Sequence, residues 1–68
     1  MRNGTLKWLD STKGYGFITP TDGGEDIFVR HEALQSAGLG DAEPGASLNF
    51  TVSRMDDGLQ AIDITSAG

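Results

Sequence analysis

The sequence predicts an all-β fold: a five-stranded antiparallel β-barrel that occupies residues 1–68 as a single domain. The chain has 68 residues, enough for one small domain with little stability to spare. Ten glycines divide it into short segments, as frequent turns require. Five of these segments have strand character, and five short strands bury a shared core best when their sheet closes.

Three strands are expected in the first half of the chain. They cover residues 5–10, 15–19 and 26–30, which are rich in large apolar side chains. Pro20 closes the second of them. The run 21–24, Thr-Asp-Gly-Gly, predicts a turn into the third strand, since glycine tolerates positive φ.

A long connection, residues 31–46, separates the third strand from the fourth. Residues 32–37 suit about one helical turn, and Gly38 is expected to end it. The rest of the connection contains further glycines, a proline and several acidic residues, which is typical of a loop. The helical turn is therefore the only helix that the sequence predicts.

Two more strands follow this connection. Residues 48–52 alternate apolar and polar side chains, which is typical of a half-buried strand. Residues 56–58, Asp-Asp-Gly, indicate a hairpin turn. In the last strand Ile62 and Ile64 are expected on one face and Asp63 on the other.

The same alternation defines the expected core and the type of barrel. A five-stranded OB-type barrel meets the need for closure, and a small SH3-like barrel is the alternative. The residues expected to fill the interior are all aliphatic apart from one phenylalanine: Leu6, Ile18, Ile27, Val29, Leu48, Phe50, Val52, Ile62 and Ile64.

Most of the aromatic side chains are left for the outer face. Alternation along the second and third strands directs Tyr15, Phe17 and Phe28 outward. Trp8 shares its parity with Leu6, so only a twist or a bulge of the first strand would expose it. Large exposed rings are costly unless something covers them. The expected result is a platform of Trp8, Tyr15, Phe17 and Phe28, edged by Lys7, Lys13, Arg30 and His31.

Such a platform suits single-stranded nucleic acid. Each unpaired base that stacks on a ring contributes roughly 1–3 kcal/mol, and basic side chains at the edges can reach phosphates. Duplex fits poorly because its bases are already stacked. The net charge of −5 lies wholly in residues 32–68, since the charges of residues 1–31 cancel. Long-range attraction to a polyanion is therefore expected to be weak.

Neither catalysis nor a cofactor is expected. His31 is the only histidine and there is no cysteine, so a nucleophilic dyad or a zinc site lacks its residues. Asp22, Glu25 and Asp26 are interpreted as solvated turn residues, with no metal bound. The sequence has no membrane-length apolar run and no signal-peptide pattern at Met1. A cytoplasmic location is expected.

The chain resembles the bacterial cold-shock proteins. The resemblance lies in residues 4–8 (Gly-Thr-Leu-Lys-Trp), 13–18 (Lys-Gly-Tyr-Gly-Phe-Ile), 23–29 (Gly-Gly-Glu-Asp-Ile-Phe-Val) and 60–61 (Gln-Ala), in order over nearly the whole chain. It implies the OB-type barrel, low-specificity binding of single-stranded RNA and DNA, and a role as RNA chaperone or regulator of transcription or translation. The binding residues it implies here are Lys7, Trp8, Tyr15, Phe17 and Phe28.

The chain departs from that family at several positions. Leu9 replaces a phenylalanine, Arg30 and His31 replace a histidine followed by an aromatic residue, and Leu59 replaces a basic residue or proline. Weaker stacking is expected from the lost rings, with partial compensation because a guanidinium also stacks on bases. An RNA-recognition-motif domain is rejected, because it needs two helices and the reverse order of the two aromatic motifs.

Two alternatives stay open from the sequence. One is an SH3-like barrel that binds a proline-rich or extended peptide, although such a groove usually carries acids where this chain has bases. The other is a family member that coats single-stranded DNA as a dimer. A monomer is expected, with a strand-swapped dimer as the alternative.

Overall fold

A computed structural model describes residues 2–56 and 58–67. The sheet closes in the order β1-β2-β3-β5-β4, with β4 returning to β1. The predicted five-stranded barrel is thus confirmed. The elements in chain order are β1 (Arg2–Asp10), β2 (Tyr15–Pro20), β3 (Ile27–Arg30), α1 (His31–Ser36), β4 (Ser47–Met55) and β5 (Gly58–Ser66).

One seam of the barrel is parallel. The pairs β1–β2, β2–β3, β1–β4 and β4–β5 are antiparallel, whereas β3 and β5 run in the same direction and meet at Phe28 and Gln60. Closure of an odd number of strands forces this, because directions cannot alternate around a ring of five. The parallel seam places the first residues of β5 beside the third strand.

A bulge in β1 gives Leu6 and Trp8 opposite orientations. Leu6 lies opposite Ile18 and Trp8 opposite Phe17, so Lys7 has no partner on β2. One extra residue reverses the parity of everything beyond it. Leu6 is accordingly buried while Trp8 is 37% exposed. The bulge that exposure of Trp8 requires is therefore present.

A second bulge in β5 makes one sequence prediction wrong. Thr65 lies opposite Asn49 and Ile62 opposite Thr51, so the ladder carries one extra residue on β5. Asp63 adopts a left-handed φ of 51° there. Ile64 remains in the core, but Ile62 is exposed and does not share its face. The Ile-Asp-Ile alternation thus does not survive the bulge.

The core matches the rest of the expected set with two additions. Leu6, Ile18, Ile27, Val29, Leu48, Phe50 and Ile64 are buried, and Val52 is half-buried against them. Leu34 of α1 and Ala61 of β5 are also fully buried. Leu34 closes one end of the barrel because α1 packs against β3 and β5. Sequence alternation could not include it, since it lies outside the strands.

The connection between β3 and β4 follows its predicted course. The helix ends at Ser36, and Gly38 takes a left-handed φ of 77°. The Leu39 N–H then donates to the Leu34 carbonyl at 2.7 Å, a common way to end a helix. The predicted hairpin turn 56–58 includes Asp57, which lies outside the described residues; Met55 and Gly58 on either side of it pair across the hairpin. In the described parts of the chain, no helix is long and apolar enough to cross a membrane.

Candidate nucleic-acid interface

Four aromatic rings form one continuous group on the outside of the barrel. Trp8, Tyr15, Phe17 and Phe28 have neighbouring ring centroids 5.4 to 6.3 Å apart. Tyr15 and Phe28 are stacked with planes 25° apart. Trp8 is exposed and the other three rings are half-buried. We call these four residues the ring cluster, and their juxtaposition agrees with the platform that the sequence predicts.

The register of the sheet explains why the rings meet. Trp8 lies opposite Phe17, and Phe17 lies opposite Phe28. Phe28 is in turn paired with Gln60, so one row of side chains crosses four strands. Directly opposed residues have Cβ atoms about 4.5–5.5 Å apart, close enough for large rings to touch. Strand pairing therefore fixes the spacing of the cluster.

Gly16 allows β1 to approach β2 closely behind the rings. It is buried between Leu9 of β1 and Val29 of β3. A Cβ atom at this position would press against the Trp8 carbonyl oxygen and lie 2.9 Å from the Leu9 Cα. Contacts this short force the backbone to move. The glycine thus holds the strand that carries Trp8 in place.

Lys7 is held in an ion pair beside the ring cluster. Its Nζ donates to Asp26 Oδ2 at 2.8 Å, and Asp26 Oδ1 also accepts from the Thr19 hydroxyl at 3.5 Å. A phosphate that approaches the Lys7 ammonium therefore competes with Asp26 for its charge. Lys7 stays a predicted binding residue, and its charge is partly neutralised by Asp26, a neighbour that the sequence analysis did not assign to it.

Lys13 and Arg30 stand at two edges of the cluster. Lys13 is exposed in the turn after β1, where its backbone N–H donates to Asp10 Oδ1 at 3.0 Å. Arg30 lies opposite Tyr15, and its guanidinium carbon is 5.6 Å from the Phe28 ring centroid. This is a cation–π contact. Arg30 therefore extends the stacking surface as well as carrying charge.

His31, a predicted edge residue of the platform, contacts the loop after α1. It is the first residue of α1, and its Nε2 lies 3.1 Å from the Gly40 carbonyl oxygen. Its backbone N–H donates to the Gly14 carbonyl at 2.9 Å. The ring thus holds the loop after α1, and the backbone of His31 ties the start of α1 to the turn before β2.

The acidic residues of the β2–β3 turn do not converge. Asp22 pairs with Arg2 at 3.2 Å, whereas Asp26 pairs with Lys7. No group of three metal-binding side chains occurs within residues 2–56 and 58–67. The two acids neutralise two of the five basic residues of the chain, which lowers the positive charge available to a polyanion.

A cleft continues the ring cluster onto the hairpin between β4 and β5. Its volume is about 320 Å³, and one wall consists of Phe17 and Phe28. The sequence analysis missed the opposite side of the cleft, which the β4–β5 hairpin provides. Only the parallel pairing of β3 and β5 brings that hairpin beside the rings. The remaining lining residues are Glu25, Asp26, Arg30, Met55, Gly58, Leu59 and Gln60.

Comparison with known proteins identifies relatives along the whole length. Residues 2–67 match the family model described as 'Cold-shock' DNA-binding domain. The chain is 42% identical to "Cold shock-like protein CspA" of Stigmatella aurantiaca over 66 residues, covering 97% of each chain. It is 40% identical to "Cold shock protein CapA" of Pseudomonas fragi over 60 residues, 88% of this chain and 94% of the relative.

A solved structure has the same fold. The chain described as "drosophila Unr CSD456" superposes with a TM-score of 0.75 at 23% sequence identity. The superposition covers 98% of this chain and 26% of that one. The closed barrel thus recurs in a chain of very different sequence.

Proposed function

The chain belongs to the cold-shock domain family of nucleic-acid-binding proteins, and from that premise we propose that it binds single-stranded RNA and DNA by stacking unpaired bases on its ring cluster. The family match spans 2–67, which supports treating 1–68 as one cold-shock domain. The match favours this interpretation over the SH3-like, peptide-binding alternative. The protein acts as a binder and not as an enzyme, and it needs no cofactor.

One observation carries the proposal: four rings lie within stacking range of one another on one outer face. Every base has a π-face, and stacking on an aromatic side chain contributes roughly 1–3 kcal/mol per base with little regard to sequence. Bases in a duplex are occupied by their neighbours and by pairing. The cluster therefore favours strands whose bases are free.

The shortage of free positive charge also supports binding by stacking. The net charge is −5, and Lys7 is engaged by Asp26 at 2.8 Å. A surface of this kind gains little from counterion release, which dominates charge-driven binding. Stacking must then supply most of the affinity, with Lys13 and Arg30 meeting phosphates at the edges.

Binding of this kind keeps RNA unpaired without consuming ATP. A protein that binds the open form and not the hairpin shifts their equilibrium by mass action, by RT ln(1 + [protein]/Kd). Weak hairpins therefore open when the protein is in excess over Kd. This activity is that of an RNA chaperone, and it also suits regulation of transcription or translation. A cytoplasmic location stays a prediction from the sequence.

The test is a titration that follows Trp8, the only tryptophan of the chain. A single-stranded oligonucleotide is expected to quench its fluorescence, because a base that stacks on the cluster changes the surroundings of the indole. Duplex of equal length and a proline-rich peptide are expected to change it far less. Equal affinity for single strand and duplex would contradict the proposal.

Two variants assign the binding to the cluster. Phe17→Ala is expected to weaken binding by about 1–3 kcal/mol, whereas Ile62→Ala, which shortens an exposed apolar side chain outside the cluster, should leave it unchanged. Light scattering of the complex distinguishes a bound monomer from a dimer that coats single-stranded DNA. A dimer would assign the chain to that alternative within the family.

A further inference from the structure

The hairpin between β4 and β5 faces the ring cluster across a cleft. Phe17 and Phe28 line it on one side, and Met55 and Leu59 line it on the other. Met55 is 44% exposed, more than any other large apolar residue in the described parts of the chain. It lines the cleft together with Phe17 and Phe28, and a contiguous exposed apolar surface marks a site of contact. Its position opposite two rings indicates what that contact is.

A thioether suits this position for chemical reasons. Methionine is flexible and polarizable, and its sulfur makes favourable contacts with aromatic systems. A base stacked on Phe17 or Phe28 extends its edge into the cleft of about 320 Å³, where the Met55 side chain can cover it. The contact excludes water from one side of the base.

The same exposure makes Met55 reactive. The chain contains no cysteine and only two methionines, so its sulfur is confined to Met55 and Met1. Peroxides oxidise an accessible methionine to the sulfoxide, which turns a flexible apolar side chain into a polar one. On the apolar side of the cleft formed by Met55 and Leu59, that change opposes binding.

We propose that Met55 is a redox-sensitive modification site, at which oxidation by a peroxide weakens the binding of single-stranded nucleic acid. The inference rests on the proposed function. In the reaction the thioether sulfur attacks one oxygen of hydrogen peroxide, the O–O bond breaks, and a sulfur–oxygen bond forms. The oxygen bound to sulfur gives its proton to the departing hydroxide, which leaves as water. The sulfur loses two electrons and the peroxide gains them. Methionine sulfoxide reductases reverse the change, one enzyme for each sulfoxide epimer.

The experiment compares the affinity of each protein before and after hydrogen peroxide. A fluorescently labelled single-stranded oligonucleotide reports binding by anisotropy, so the readout does not depend on Trp8. Peptide mass spectrometry confirms that one oxygen atom has been added at Met55. The oxidised protein is expected to bind about three- to tenfold more weakly, and treatment with both reductases should restore the affinity.

Met55→Leu is the matched variant, because it keeps an apolar side chain of similar volume and removes the sulfur. The quantity compared is the ratio of affinities before and after peroxide, so a change in basal affinity cancels. That ratio should be close to one in Met55→Leu, which still contains Met1 and Trp8. Met55→Gln, which introduces polarity without oxidation, should bind more weakly than Met55→Leu.

Two results would overturn the inference. The first is unchanged binding by protein that is fully oxidised at Met55. The second is an equal loss in Met55→Leu, which would place the sensitive group elsewhere. The untreated protein tests the proposed function separately. If it does not bind single strands, the proposed function fails and this inference fails with it. If it binds and oxidation has no effect, only this inference fails.

Discussion

Strands β1 and β5 each contain a bulge that turns one large apolar side chain outward, and the two bulges have different consequences. Trp8 is 37% exposed and Ile62 is 36% exposed. Trp8 lies 5.6 and 5.4 Å from the rings of Tyr15 and Phe17. Ile62 instead lines a shallow groove beside α1 with Ala33. Exposure alone therefore does not distinguish the two side chains; the neighbouring rings do, and they are the reason that only Trp8 is proposed to bind.

The two bulges also differ in the residue that each leaves without a regular partner. In β1 the unpaired residue is Lys7, which contacts Asp26 across the sheet at 2.8 Å. In β5 the bulge contains Asp63, whose backbone is left-handed with a φ of 51°. Aspartate tolerates that conformation better than most residues. The first bulge thus leaves its unpaired side chain to pair with Asp26, and the second places its left-handed backbone at a residue that tolerates it.

The largest expected effect is at the close approach behind the first bulge. Gly16→Ala should lower the free energy of unfolding by about 3 kcal/mol, because the new methyl group would strike the Trp8 carbonyl and the Leu9 backbone. Urea denaturation followed by circular dichroism measures it. Gly14→Ala is the control: its φ of 86° is strained for alanine, but nothing lies within 4 Å of the added atom.

Gly14→Ala should cost only about 1–2 kcal/mol, the penalty for a left-handed alanine. The difference between the two variants isolates steric contact from backbone strain. If the two cost the same, β1 does not depend on close approach at Gly16, and the placement of Trp8 needs another explanation.

The second prediction compares the two outward side chains directly. Trp8→Ala should weaken the binding of a single-stranded oligonucleotide by about 1–3 kcal/mol, and Ile62→Ala should change it by less than about 0.5 kcal/mol. Anisotropy of a labelled oligonucleotide provides the measurement, since Trp8→Ala has no tryptophan. A comparable loss in Ile62→Ala would mean that the groove beside α1 also takes part in binding.

The first bulge could be predicted and the second could not, for a physical reason. Trp8 shares its parity with Leu6, yet Leu6 is needed in the core and Trp8 on the outer face with the other aromatic residues. A regular strand cannot satisfy both requirements, and a bulge can. In β5 the order Ile62, Asp63, Ile64 already alternates well, so nothing in the sequence indicated an extra residue. Local pattern detects a bulge only where regular alternation would leave a conflict.

The candidate site likewise has a part that local sequence pattern predicts and a part that it does not. The ring cluster follows from alternation within β2 and β3 and from their pairing as neighbours in the chain. The cleft and its residues Met55 and Gln60 depend on β3 pairing with β5, a contact between distant segments. The ion pair of Lys7 with Asp26 spans 19 residues, and no local spacing rule predicts it. Sequence thus predicts the rings better than their surroundings.

The third prediction concerns the backbone of the second bulge. Asp63→Val should lower the free energy of unfolding by about 1–2 kcal/mol, because a β-branched side chain is strained at a left-handed φ. Asp63→Gly, which has no such strain, should be at least as stable as the unmodified protein. Thermal or urea unfolding of the two variants gives the comparison. Equal stability of both would indicate that β5 adjusts without its bulge.

The smallest expected effect concerns the charge at the first bulge. For single strands the slope of log K against log salt is about −0.7 per phosphate neutralised. Lys7, Lys13 and Arg30 together would give roughly −2. Because Asp26 already neutralises Lys7, we expect about −1.4 for the unmodified protein. Asp26→Asn should free the Lys7 ammonium, raise the affinity at low salt, and move the slope to roughly −2.

Asp22→Asn is the matched control for that variant. It removes the same charge and also breaks an ion pair, since Asp22 contacts Arg2 at 3.2 Å. Arg2, however, lies six positions before Trp8 on β1, or roughly 20 Å along an extended strand, and screening is nearly complete beyond about 10 Å at moderate salt. Its slope should therefore stay near −1.4.

Titrations across a salt series compare the two variants. Equal slopes in the two variants would show that net charge, and not release of Lys7, controls the salt dependence of binding. A slope steeper than about −4 in the unmodified protein would mean that electrostatics contributes more to binding than stacking does. The expected result, a change in Asp26→Asn alone, assigns Asp26 the role of limiting the positive charge that the first bulge presents to phosphate.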